Sequence, residues 1–244
     1  MLGVKGEDNT VLQRGRLVHE AFAESISGVK KTVYNLYPDV SGGAVYDGVM
    51  GLLEEKVDGL GDRYPLLEER YAVWLYRRIW SKAALKYSAS VEELLSRTPY
   101  MTLETLLAYA VPVMPEYPID GSSIGLSRTL RVDAYIVPGI LMELKTREPS
   151  PVYELSVAGY ALAFESHYRI PVDYALLVYV SLPENEKGVI RVYPRLVTIT
   201  AELRTAFLEE RDKRHRMIIY KEDPGKPVRC SDVCPFKDKC PSLG

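Results

Sequence analysis

Apolar positions recur at helical spacing through the first 110 residues and at strand spacing, or as continuous runs, over much of the remainder. Val11 to Ser27 reads as an amphipathic helix with Arg14, Gly15, Arg16 and His19 near its start. Turn signals at Tyr37-Pro38-Asp39 and Ser41-Gly42-Gly43 precede a second helix to about Val57. A long helix follows from Gly61 to about Tyr87, with shorter ones at Val91 to Ser96 and Met101 to Tyr109. Val111 to Tyr117 then reads as a strand, Arg131 to Lys145 as a hairpin and Val152 to Tyr168 as a helix. Asp173 to Ser181 is a continuous apolar strand, Val189 to Ile199 a strand broken at Pro194, and Ala201 to about Met217 a charged helix.

The hairpin carries the most chemistry. With a Val137-Pro138-Gly139 loop and Gly139 in the left-handed position, Ile136 pairs with Ile140 and Asp133 falls opposite Glu143. Lys145 shares their face, which is expected to look away from the core. The opposite face collects Val132, Ala134, Ile136, Ile140, Met142 and Leu144 as an apolar surface. Two carboxylates and an ammonium on one hairpin face suit metal-assisted phosphodiester hydrolysis. The acids would bind Mg²⁺ or Mn²⁺ through oxygen, and the lysine would orient water or neutralise charge on phosphate. A solvated face with a cross-strand ion pair is the plainer alternative from this pattern alone.

Composition bounds the partners. Lys and Arg number 31 against 33 Asp and Glu, a formal charge of −2, so a nucleic-acid partner must be held by a local basic patch or by metals. No apolar run approaches a membrane span and the first residues lack a secretion signal, which makes a cytoplasmic location the expectation. A single glutamine, Gln13, and three asparagines lean towards a thermophilic source, where intracellular disulfides occur. On the long helix Arg78, Lys82 and Lys86 recur every fourth residue, interleaved with Tyr71, Trp74, Tyr76 and Trp80. Such a strip could track a DNA backbone while rings stack on bases, but inward aromatics under a solvated basic face are the commoner arrangement.

Taken in order, GRLVH (Gly15 to His19), GLSRTLRVD (Gly125 to Asp133), MELK (Met142 to Lys145), GYALAFE (Gly159 to Glu165) and C-x3-CP-x4-CP (Cys230 to Pro241) resemble the RecB-type nucleases of the PD-(D/E)xK superfamily. The closest match is the CRISPR-associated group with a C-terminal cysteine cluster, the Cas-four/Csa-one kind. The resemblance covers nearly the whole chain. It implies an α/β (mixed α+β) fold: a restriction-endonuclease-like mixed sheet with a helical N-terminal lobe over 1–110, a nuclease core over 111–222 and a cysteine tail over 223–244.

The same resemblance implies that His19 completes the metal shell with Asp133 and Glu143, and that Lys145 assists attack. Glu116 stands where the family often has a further acid, and Tyr160 matches the tyrosine of a helix that contacts DNA or orients the lysine. That helix's glutamine position is occupied here by Ser156, which spans less distance. Cys230, Cys234 and Cys240 would hold an iron–sulfur cluster whose fourth cysteine, upstream of the histidine helix in the family, does not occur in this sequence. The cluster is then incomplete, or completed by another ligand or by a residue before Met1. A zinc site with His215, or a disulfide plus a free thiol, are the alternatives.

The expectation is a Mg/Mn-dependent DNA exonuclease that processes DNA ends in CRISPR spacer acquisition, partnered by the CRISPR integrase and its small companion subunit. Tyr160, Arg78 and Lys82 are the candidate DNA contacts. A non-catalytic scaffold in the same complex and a RecB-like repair nuclease are the competing readings.

Overall fold

The computed structural model describes residues 6–222 and 234–236. Seven helices and a five-stranded sheet make up the described part, a mixed α+β architecture in which helices precede and flank the strands. The helix α1 (Thr10–Leu36) starts at Asn9, whose side chain accepts the Leu12 amide. It runs nine residues beyond the expected end at Ser27, since Val29 and Val33 continue its buried stripe. The α2 helix (Gly42–Val57) is capped by Ser41.

The long helix expected from Gly61 is divided. A single turn, α3 (Leu60–Arg63), stops at Tyr64 because Pro65 disfavours helical backbone in the residue before it. The α4 helix (Glu69–Arg97) then runs straight through the gap expected after Tyr87. Ser88 and Ser90 turn their hydroxyls onto the carbonyls of Leu85 and Lys86, so this polar stretch stays helical. A short helix, α5 (Leu103–Ala110), leads into the sheet.

The strands β1 (Val113–Ile119), β2 (Leu130–Ile136), β3 (Ile140–Lys145), β4 (Tyr174–Ser181) and β5 (Arg191–Thr198) lie in sequence order across the sheet. All neighbours are antiparallel except β3 and β4, which are parallel and joined by the crossover helix α6 (Pro151–Tyr168). The β5 strand is unbroken at Pro194 because it is an edge strand, where a missing amide costs no ladder partner on the open side. The α7 helix (Ala201–Tyr220) packs on α6.

Two apolar cores lie on the two faces of the sheet. The larger joins α1, α2 and α4 to the back face through Ala134, Met142, Leu144 and Val180, with Trp80 and Tyr76 fully buried in it. The smaller packs α6, through Val157, Ala161 and Phe164, against Leu141, Leu177, Tyr179 and Val197. No helix among the described residues is long and apolar enough to cross a membrane.

Candidate active site

The hairpin has the expected register, with Ile136 paired to Ile140 and Ala134 to Met142. Its turn is made differently. The Val137–Pro138 bond is cis, Gly139 is outside the left-handed region, and the Gly139 amide donates to Ile136 O at 3.0 Å.

Regular pairing stops at Asp133. The β2–β3 ladder ends at Ala134, and in the β1–β2 ladder Glu116, with φ +50°, and Asp133 are the one skipped position. The Asp133 side chain fills the break, its Oδ2 accepting the Leu144 amide at 2.6 Å. The kink also moves Val132. It packs in the smaller core with Tyr135 instead of sharing the back face with Ala134 and Ile136, because the alternation slips by one at Asp133.

The freed end of Asp133 reaches α1, where its Oδ1 lies 2.8 Å from His19 Nδ1. Gly15, one turn earlier, lets α1 approach: a Cβ there would stand 3.2 Å from Thr146 Oγ1, just past the end of β3. On β3, Lys145 Nζ bonds Glu143 Oε1 at 2.5 Å and lies 5.1 Å from the Tyr153 ring centroid. Four residues drawn from three separate segments, His19, Asp133, Glu143 and Lys145, therefore meet in one place.

The pair of acids does not face open solvent, as a hairpin alone suggests. Glu143 is only 6% exposed, because α6 covers the front face of the sheet. Burial, and then the charge of Asp133, hold its carboxyl above the usual carboxylate range, while Lys145 and His19 pull the other way. Glu143 Oε2 is buried without a hydrogen-bond partner. Burial also opposes charge on His19, but the Asp133 bond and the fields of both acids outweigh it and raise the imidazole.

This donor set fits a hard divalent cation. It offers two carboxylates and an imidazole, and one buried carboxylate oxygen has nothing to bind. Among the described residues no three His, Cys, Asp or Glu side chains are already gathered closely enough to hold a metal ion.

Tyr160 of α6 joins the site. Burial, followed by the negative fields of Glu143, Asp133 and Glu116, drives its phenol well above the ordinary range. Ser156 does not substitute for a longer polar side chain, since its hydroxyl donates to Val152 O on its own helix. The α6 helix is held in place by Glu165, which takes the Arg204 guanidinium at 2.5 Å and the Val172 amide at 2.9 Å. The motif GYALAFE contained this glutamate, but its clamping role depends on a partner 39 residues away.

Arg78 and Lys82 are not part of this constellation. They line a groove with Met142 and Leu144, on the face of the sheet opposite Glu143. The rings interleaved with them are mostly core: Tyr71, Tyr76 and Trp80 are buried, and only Trp74 is partly open. Base stacking on this strip is thus ruled out for those three rings. Arg78 instead lies near the Trp74 ring, at 6.0 Å.

Cys230 and Cys240 lie outside the described residues. Cys234 is a free, half-buried thiol, and the adjacent Pro235 carbonyl accepts the Glu7 amide at 2.6 Å, so this part of the tail lies against the N-terminal segment. His215 is exposed on α7, beside a groove lined also by Phe207 of the same helix and Ser156 of α6.

The profile of the family described as CRISPR-associated exonuclease Csa1 matches residues 1–243. A protein named CRISPR-associated exonuclease Csa1 from Saccharolobus solfataricus is 33% identical over 249 residues, covering 98% of this chain and 78% of that protein. One of the same name from Thermoproteus tenax is 24% identical, over 99% of this chain and 77% of its own length. The chain belongs to the CRISPR-associated exonuclease Csa1 family.

Proposed function

We propose that this protein is a divalent-cation-dependent DNA exonuclease that trims DNA ends for CRISPR spacer acquisition. The observation that carries the reading is the unpartnered, buried Oε2 of Glu143, set beside Asp133, His19 and the Lys145 ammonium. Its relatives bear the name of CRISPR-associated exonucleases, which supports the reaction class.

Asp133, Glu143 and His19 would hold Mg²⁺ or Mn²⁺, which when bound supplies Lewis acidity at the scissile phosphate. Asp133 is pre-positioned by the Leu144 amide on Oδ2, so the oxygen it would offer a cation is Oδ1, which here bonds His19 Nδ1. Lys145, whose ammonium bonds Glu143 Oε1, would donate to a non-bridging phosphate oxygen and offset the charge that grows there. Its place beside the Tyr153 ring limits the ammonium's wandering. Tyr160, kept neutral, can donate a hydrogen bond to substrate from the helix side.

An iron–sulfur cluster on Cys230, Cys234 and Cys240 is part of the proposal, and the contact of Pro235 with Glu7 supports a site shared between the tail and the N-terminal segment. The CRISPR integrase and its small companion subunit are the proposed partners. Incubating the protein with end-labelled single-stranded and duplex DNA, with Mn²⁺ and then with a chelator, tests the reading. Stepwise shortening that the chelator stops supports it; intact DNA with cation present refutes it.

A further inference from the structure

A cavity of about 490 Å³ opens at the carboxyl ends of the parallel strands β3 and β4, beside the acid cluster but separate from it. In sheets with parallel strands this is where ligands are received, because crossover connections leave a crevice there. Arg14 lines it from α1, Thr146 and Arg147 from the segment after Lys145, Tyr179 from β4 and Tyr193 from β5, with Glu148 as the opposing charge.

Two of these side chains have donors that the fold does not use. The Tyr179 hydroxyl is buried with no hydrogen-bond partner, although a phenol so placed ordinarily finds one. Arg14 Nε is likewise buried and unpartnered. The rest of that guanidinium stacks 4.8 Å from the Tyr71 ring centroid, and one nitrogen makes a long 3.4 Å bond to Glu184 O. Unused donors of this kind cost stability unless something accepts from them. An anion does so best.

The cavity is also tied to the reaction centre. Tyr179 is the register partner of Lys145, and the Tyr153 ring lies 6.3 Å from the Tyr179 ring and 5.1 Å from Lys145 Nζ. A phosphate on the unused donors would thus stand next along the strand from one held at Lys145. The exposed Tyr193 ring offers a face for a base, and the volume suits a nucleotide.

We propose that this cavity is a nucleotide subsite, in which Arg14 and the Tyr179 hydroxyl hold the phosphate adjoining the scissile one on the substrate strand. The assignment rests on the nuclease reading for the word scissile, but its binding chemistry can be tested without cleavage.

The test is fluorescence anisotropy of a short labelled single-stranded oligodeoxynucleotide in chelator, where nothing is cut, with thymidine 5′-monophosphate as competitor. Tyr179→Phe removes only a hydroxyl that has no partner in the fold, so this variant folds at wild-type melting temperature. It should bind the oligonucleotide about tenfold more weakly and respond less to the competitor. Arg14→Gln should weaken binding and lower the salt slope by about one ion. If Arg14→Gln fails to fold, Tyr179→Phe decides alone. Wild-type binding by Tyr179→Phe overturns the subsite, whether or not the protein proves to be a nuclease. Weakened binding in that variant upholds the subsite even if Mn²⁺ supports no cleavage.

Discussion

His19 Nδ1 and Asp133 Oδ1 lie 2.8 Å apart although 114 residues separate them. Through this contact the first helix is coupled to the interrupted hairpin, and the other oxygen of Asp133 is at the same time bonded to the Leu144 amide. One carboxylate thus has a structural half and a chemical half, and substitutions can separate them.

Asp133→Asn keeps an oxygen for the Leu144 amide while removing the charge, whereas Asp133→Ala removes both. The alanine variant should lose about 1–3 kcal/mol, the cost of leaving a buried amide unpaired, a fall in Tm of several degrees for a chain of this size. The asparagine variant should melt close to wild type. Both should be inactive. Thermal unfolding beside a cleavage assay checks this, and an asparagine variant with wild-type cleavage would remove Asp133 from the reaction.

Charge reversal at Arg78 and Lys82 is a contrasting case. These residues lie behind the sheet from Glu143, so Arg78→Glu with Lys82→Glu should leave the cleavage rate of short single-stranded DNA within about twofold of wild type. A large loss, with a flatter salt dependence, would mean that substrate wraps to the back face.

The tail makes a third case. Protein produced anaerobically with iron available should carry iron and acid-labile sulfide in step, and Cys234→Ser should lower both together. Because Pro235 bonds the Glu7 amide, the same variant should speed amide exchange at Glu7. Stoichiometric zinc without iron would replace the cluster with a zinc site.

Much of this architecture was legible because two periodicities write it. The hairpin register followed from alternation around a three-residue loop, and the structure pairs Ile136 with Ile140 as that alternation demands. What alternation could not show is the kink at Asp133, since a slip of one residue depends on Glu116 of a neighbouring strand taking φ +50°. Nor could it show that Glu143 is buried, because the cover comes from α6, which follows in sequence. His19 was readable only through its motif. Tyr179 was not readable at all, for it sits in an ordinary apolar strand and stands out only by the bond it lacks.

The buried Glu143 beside Lys145 is the centre of the account, and it sets a condition that a solvent-facing pair would not. Lys145→Ala leaves a buried carboxylate without its cation, and so should be destabilised as well as inactive. Glu143→Gln removes the charge at nearly constant shape and should fold at least as well as wild type. The most direct measurement is therefore a Mn²⁺ titration of end-labelled DNA cleavage by wild type and Glu143→Gln at matched folded concentration. The account predicts cleavage that rises with Mn²⁺ and stops with chelator in wild type, and no cleavage by Glu143→Gln at any Mn²⁺ concentration. Equal cleavage by both proteins, or cleavage that survives the chelator, would contradict it.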